Sequence, residues 1–271
     1  MQESSRLRPA LGRIAAAFPR ATVPVETRPL GLAGIDRTLG GGLARGRLHE
    51  VFAREDRDSA SALGFAVMLA LCLTAREDAE RPLLWLREEQ AQRRTPLHGA
   101  GLGELGLDPG RLILGLLPDA KALLRASVDA LRCGALGAVI LELEGNPALL
   151  DLTASRRLAL AAEETGVTPL LLRSGKARPR PSAAQTRWQA GSLPSAWHAA
   201  DAPGAPALAL TLLRQRGGPA GLDWIVEWDR DALCFKPAPL PGAHLPLSGG
   251  GPLPHDQSGE RAGNGHWRSV A

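Results

Sequence analysis

Residues 54–59 join an apolar strand to an apolar helix, the position at which an α/β protein can bind nucleotide phosphates. Such a loop offers glycine backbone N–H groups, a lysine for the terminal phosphates and a Ser or Thr for magnesium. This segment contains no glycine and no lysine. Its carboxylates Glu55, Asp56 and Asp58 would each repel a polyphosphate by on the order of 1 kcal/mol or more. The sequence therefore predicts a degenerate phosphate loop that does not hydrolyse ATP.

A second segment, residues 165–200, contains no Asp or Glu and is rich in cations. Cations can follow a nucleic-acid backbone, and an adjacent aromatic ring can stack on a base. Arg and Trp are also favoured in protein interfaces, and an Arg-rich composition can leave a solvated loop with no specific role. All three interpretations remain open. The candidate contact residues for single-stranded DNA or a partner are Arg173, Lys176, Arg178, Arg180, Arg187 and Trp188.

Alternating strands and helices must position both segments. Short apolar runs predict five strands, and the helical segments between them predict right-handed crossovers. The fold class is therefore α/β, a mostly parallel sheet with helices on both faces, and residues 208–216 and 222–229 predict a closing antiparallel hairpin. The predicted strands begin at residues 48, 83, 112, 138 and 169.

Three regions are predicted along the chain. Residues 1–28 form an N-terminal helix and linker, and residues 29–236 form the core. Residues 237–271 are rich in Pro, Gly and Ser and predict a disordered tail. Trp197 is a second aromatic residue of the cation-rich segment, and Trp267 lies in the polar tail, where an aromatic side chain could anchor a partner or have no specific role.

Composition narrows the class of protein. Hydrophobic residues make up 44% of the chain and the formal net charge is +4. There is no uncharged apolar run long enough to span a bilayer and no secretory signal pattern, so we expect a cytoplasmic protein without a membrane partner. Cysteine and histidine spacing predicts neither a metal site nor a disulfide framework, and no cofactor is expected. The cysteines are Cys72, Cys133 and Cys234.

Several runs resemble RecA recombinases and, more closely, the RecA-related ImuA family. The resemblance covers residues 28–236, and the run Ser-Ala-Ala-Gln-Thr-Arg-Trp at 182–188 favours ImuA over RecA. It implies a RecA-like fold. The other similar runs are residues 31–51, 106–114, 118–134 and 138–142.

Ungapped comparison with the RecA phosphate loop gives four departures. Ala53 and Asp58 replace the two motif glycines, Ser59 replaces the lysine and Ala60 replaces the Ser or Thr. All four changes remove phosphate or metal chemistry, which implies a protein that is not an ATPase.

Two carboxylate positions of RecA also have counterparts. Glu142 falls where the strand-end acid would be, and Glu88 or Glu89 falls near the water-activating Glu. Without a bound phosphate an acid has nothing to activate. We therefore expect structural or solvated carboxylates.

The ImuA resemblance implies a non-catalytic adaptor in SOS-induced translesion DNA synthesis, active at the nucleoid. It implies an ImuB-like polymerase-related protein and an error-prone DNA polymerase as partners, with RecA as a third. Two alternatives belong to other classes. One is an active DNA-dependent ATPase or recombinase, which the loop at 54–59 disfavours. The other is a SulA-like cell-division inhibitor, in which the basic segment has no obvious use.

Overall fold

The computed structural model describes residues 25–75, 79–195 and 204–238. The predicted N-terminal helix, nearly all of the predicted tail, Trp197 and Trp267 lie outside the described residues. The strands are β1 (Thr27–Arg28), β2 (Leu43–Ala44), β3 (His49–Ala53), β4 (Leu83–Glu88), β5 (Leu112–Leu117), β6 (Ala138–Glu144), β7 (Thr168–Ser174), β8 (Thr186–Leu193), β9 (Ala207–Gln215), β10 (Leu222–Asp229) and β11 (Cys234–Pro237).

Within these residues one sheet has nine strands, in the order β11-β10-β9-β8-β3-β7-β6-β4-β5, while β1 and β2 pair separately. The run from β8 to β5 is parallel, and β9, β10 and β11 follow in antiparallel pairs. The predicted fold class, a mostly parallel sheet ending in antiparallel strands, is confirmed. The two-strand hairpin predicted at its end is extended by β11.

Strand β8 was not predicted from the sequence, where its residues belong to the cation-rich segment 165–200. It pairs in parallel with β3 and antiparallel with β9. Its neighbouring residues Arg187 and Trp188 are both buried, because they point to opposite faces of the sheet and both faces are covered. A strand buried on both faces lacks the alternation of apolar and polar residues by which a half-buried strand is recognised, and the polar residues of β8 interrupt the apolar run expected of a buried strand.

Helices cover both faces of the sheet, as predicted. On one face α2 (Ser59–Leu73) is apolar over almost its whole length, and its buried side chains form a core with Trp85 and Trp188. On the other face the amphipathic α5 (Ala120–Leu131) and α6 (Leu152–Thr165) bury Leu123, Leu131 and Leu158. The helices are α1 (Ala33–Thr38), α2 (Ser59–Leu73), α3 (Glu89–Arg94), α4 (Gly99–Glu104), α5 (Ala120–Leu131) and α6 (Leu152–Thr165).

A glycine turn leads into β2, where Gly40, Gly41 and Gly42 all have positive φ. At Gly42 a Cβ atom would lie 2.2 Å from the carbonyl oxygen of Arg28, so only glycine fits where β1 and β2 meet. No helix within the described residues is long and apolar enough to cross a membrane.

Candidate functional site

The degenerate loop lies at the carboxyl edge of the sheet, where open α/β folds bind their ligands. Strand β3 ends at Ala53, a short 3-10 turn follows at Asp56–Asp58, and α2 begins at Ser59. The backbone N–H of Arg54 donates to the carbonyl of Ala190 at 2.9 Å. Pairing with β8 therefore continues past the end of β3 and fixes the start of the loop.

Asp58 closes the loop onto β8. Only 4% of this residue is exposed. Its Oδ1 accepts hydrogen bonds from the backbone N–H (2.9 Å) and the hydroxyl (2.7 Å) of Ser192, while Oδ2 accepts from the N–H of Glu55 at 3.1 Å. The carboxylate thus ties the residue before α2 to a strand 134 positions away in sequence.

These hydrogen bonds keep Asp58 ionised. Burial raises the pKa of its carboxyl, but the hydrogen bonds from Ser192 and Glu55, together with the charge of Arg57, outweigh burial and hold the pKa below its usual value. An anion is therefore fixed at the residue before α2, next to the helix N-terminus at which a nucleotide phosphate would have to bind, although its side chain caps no N–H group of that helix. The structure places the carboxylate there without any glycine cradle for a phosphate.

Glu142, at the position of the strand-end acid, is held by a buried network. Its carboxylate accepts from Trp85 Nε1 at 3.1 Å and pairs with the Arg87 guanidinium, whose nearest contacts are 3.1 Å. Burial raises the pKa of Glu142, and the charge of Arg87 and the hydrogen bonds lower it. Both oxygens of the carboxylate therefore already have partners. Because those partners lie on β4, the Glu142 side chain links β6 to β4.

The two other predicted acids lie at the end of β4. Glu89 pairs with the exposed Arg93 at 3.1 Å. Burial and the charges of Glu144 and Asp119 raise the pKa of Glu88. Within the described residues, no group of His, Cys, Asp or Glu side chains is arranged to bind a metal ion.

A cavity of about 750 Å³ opens beside the loop, between the N-terminal half of α2 and the ends of β4, β6 and β7. Its walls are mainly apolar, with Leu63, Met68 and Leu102 among them. The buried ion pair of Arg87 and Glu142 also lines this cavity. Most of this surface suits an apolar occupant better than a polyphosphate.

The basic segment divides into buried and exposed residues. Arg173 lies inside: its guanidinium donates to the carbonyl of Gly145 (2.7 Å) and to Asn146 Oδ1 (3.0 Å), and packs 5.5 Å from the Phe52 ring centre. Burial lowers the pKa of Arg173, and the charge of Glu50 raises it. Its donors are directed at the protein, so it is removed from the predicted DNA contacts.

Arg187 is likewise removed from those contacts. Its Nε donates to the buried Glu50 at 2.7 Å, and its terminal nitrogen donates to the carbonyl of Arg180 and the hydroxyl of Ser182. Glu50 was missed, because the sequence analysis took its strand as uniformly apolar. The available signal was a carboxylate within a buried strand, which requires a cationic partner.

Trp188 cannot stack on a base from its position. It is 0% exposed, its indole N–H donates to Thr186 Oγ1 at 2.9 Å, and its ring meets Phe65 edge-on at 5.8 Å. The Ser182–Trp188 run that carried the family resemblance is thus largely a packing element. Its neighbour His49 is also buried, which lowers the His49 pKa to about 4.

Lys176, Arg178 and Arg180 remain exposed, and the buried residues hold the backbone that carries them. The N–H of Arg178 donates to Asn146 Oδ1 at 3.3 Å, and the Arg180 carbonyl accepts from Arg187 at 2.7 Å. The structure therefore brings three of the six predicted residues together on the surface, at positions 176–180.

Comparisons with known proteins agree with this fold. The chain is 34% identical over 217 residues to Protein ImuA of Caulobacter vibrioides, in strain NA1000 / CB15N and in strain ATCC 19089 / CIP 103742 / CB 15, covering 75% of this chain and 84% of each relative. A crystal structure of the RadB recombinase superposes with a TM-score of 0.53 at 15% identity, covering 79% of this chain and all of that one. No family model matches the sequence.

Proposed function

Because the chain belongs to the ImuA family, we propose that it is a non-catalytic RecA-like adaptor in SOS-induced translesion DNA synthesis. The observation that carries the proposal is the carboxylate of Asp58, bound to Ser192 where nucleotide chemistry would require a phosphate. An adaptor needs the surfaces of a RecA-like fold and does not need its phosphate site. The proposed partners are an ImuB-like polymerase-related protein, an error-prone DNA polymerase and RecA.

Affinity capture against two purified candidate partners tests this function. We expect the immobilised protein to retain an ImuB-like protein from the same organism and not to retain the division protein FtsZ. The reverse result, capture of FtsZ without the ImuB-like protein, would favour a SulA-like division inhibitor and overturn the adaptor role.

Direct contact with single-stranded DNA is a second candidate function, favoured by the exposed cations at 176–180. Replacing Lys176, Arg178 and Arg180 together with Gln should weaken binding to an oligothymidylate. Each lost phosphate contact should also reduce the slope of log affinity against log salt by about 0.7. Fluorescence anisotropy at several salt concentrations measures both effects.

The matched control removes the same formal charge elsewhere, at the exposed Arg93, Arg132 and Arg230. We expect its affinity and salt slope to stay close to those of the unchanged protein. An equal loss in both triple variants would show that net charge, and not the 176–180 surface, governs DNA binding.

A further inference from the structure

A groove of about 580 Å³ runs between α5 and α6, on the face of the sheet opposite α2. Leu124, Val128 and Leu158 give it an apolar floor. Leu149, which lies in the loop before α6 and also lines the groove, is 53% exposed. The degenerate phosphate loop leads into α2, so the groove is separate from that loop.

The spacing along both helices makes the groove continuous. On α5, Lys121, Leu124, Arg125 and Val128 recur at i, i+3, i+4 and i+7, so they form one stripe facing α6. On α6, Ala154, Arg157 and Leu158 repeat the first part of this pattern. Two such stripes side by side suit an extended or helical segment lying along the helices.

Unpaired positive charge surrounds this apolar floor. Lys121 and Arg125 stand on one side and Arg157 on the other, all exposed. Within the described residues no carboxylate lies within ion-pair distance of these three cations. The acid of the groove, Asp129, has Arg132 at 3.7 Å. The rim therefore complements an anionic occupant.

We infer that this groove binds an acidic segment of a partner protein whose apolar side chains cover Leu149 and the floor. The groove lining contains no aromatic ring for a base to stack on, and its apolar floor offers nothing to a sugar-phosphate backbone, which disfavours nucleic acid. The chain's own ends do not match the rim. Residues 1–24 contain one Glu and four Arg, and residues 239–271 contain two acids and two Arg.

A defined probe makes the inference testable without identifying the partner. The probe is a short fluorescent peptide in which pairs of Leu alternate with pairs of Glu, compared with a peptide carrying Lys in place of Glu. The full chain should bind the Glu peptide and not the Lys peptide. The variant R125E/R157E should weaken binding at least about tenfold, since two attractive ion pairs become repulsive.

Arg156 supplies the matched control. It is exposed on α6 next to Arg157 but lines a separate cavity with residues 181–183. R156E should therefore leave peptide affinity within about twofold. Leu149→Ser, which changes no charge, should weaken binding about tenfold by removing the exposed apolar contact. Unchanged thermal unfolding of each variant shows that it remains folded.

Several results would overturn the inference. These are absence of binding to the Glu peptide, equal loss in R156E and R125E/R157E, or displacement of the peptide by an oligothymidylate. A dimer of the chain that R125E/R157E dissociates would make the groove a self-association surface, and would also overturn it. The test is independent of the adaptor role, because it uses neither an ImuB-like protein nor a polymerase.

Discussion

Replacing Arg187 with Met should lower the free energy of unfolding by about 3–5 kcal/mol. The substitution leaves the Glu50 carboxylate buried at the centre of the sheet without its cation, 2.7 Å from where Arg187 Nε lay. It also removes the hydrogen bonds to the Arg180 carbonyl and Ser182. Urea unfolding followed by circular dichroism measures the change.

Two further variants separate the buried charge from lost packing. Glu50→Leu combined with Arg187→Met should recover part of the stability, because the Glu50 carboxylate is then no longer buried without Arg187, while the buried Arg173 keeps its neutral partners Gly145 and Asn146. Arg93→Met, which breaks the exposed pair with Glu89, should change stability by no more than about 0.5 kcal/mol. If Arg187→Met were as mild as Arg93→Met, the buried pair would not hold β8 to β3.

Asp58→Asn should cost about 2–3 kcal/mol at neutral pH, because the substitution removes the charge from an acceptor of hydrogen bonds from Ser192 and Glu55. The stabilisation has a definite pH dependence. Since the folded-state pKa is depressed, the contribution of Asp58 is present above the ordinary aspartate pKa and is lost as the pH falls through the folded-state value.

Urea unfolding of both proteins at neutral and acid pH checks this prediction. The stability difference between the unchanged protein and Asp58→Asn should shrink as the pH falls below the ordinary aspartate range. Asp56→Asn, two residues earlier and exposed, is the control and should have little effect. A pH-independent difference would mean that the charge of Asp58 is not what stabilises the loop.

The parallel part of the fold was predictable because its strands are continuous apolar runs between capped helices. Asp119 caps α5, accepting from the N–H of Ala122 at 2.7 Å, and Gly166 ends α6 with a positive φ. Such signals lie within a few residues of each other. Strand β8 escaped prediction because it is buried on both faces and its polar residues interrupt the apolar run expected of such a strand.

At the site, the sequence predicts which phosphate-binding residues are missing but not which contacts replace them. The missing glycines and lysine can be read from residues 54–59, but the bond from Asp58 to Ser192 joins positions 134 apart. Arg187 and Glu50 are 137 apart, so nothing local distinguishes this buried arginine from a solvated one. In a chain with 32 Lys and Arg, a buried cation is identified only once its acidic partner is located.

The central claim is that this RecA-like fold works without a nucleotide, and calorimetric titration with Mg·ATP tests it most directly. With a nucleotide-binding RecA protein as the positive control, we expect no saturable heat for this chain even at millimolar ATP, because the Asp58 carboxylate is fixed next to the N-terminus of α2 and residues 54–59 contain no lysine or glycine. Saturable binding of Mg·ATP with micromolar affinity would contradict the account.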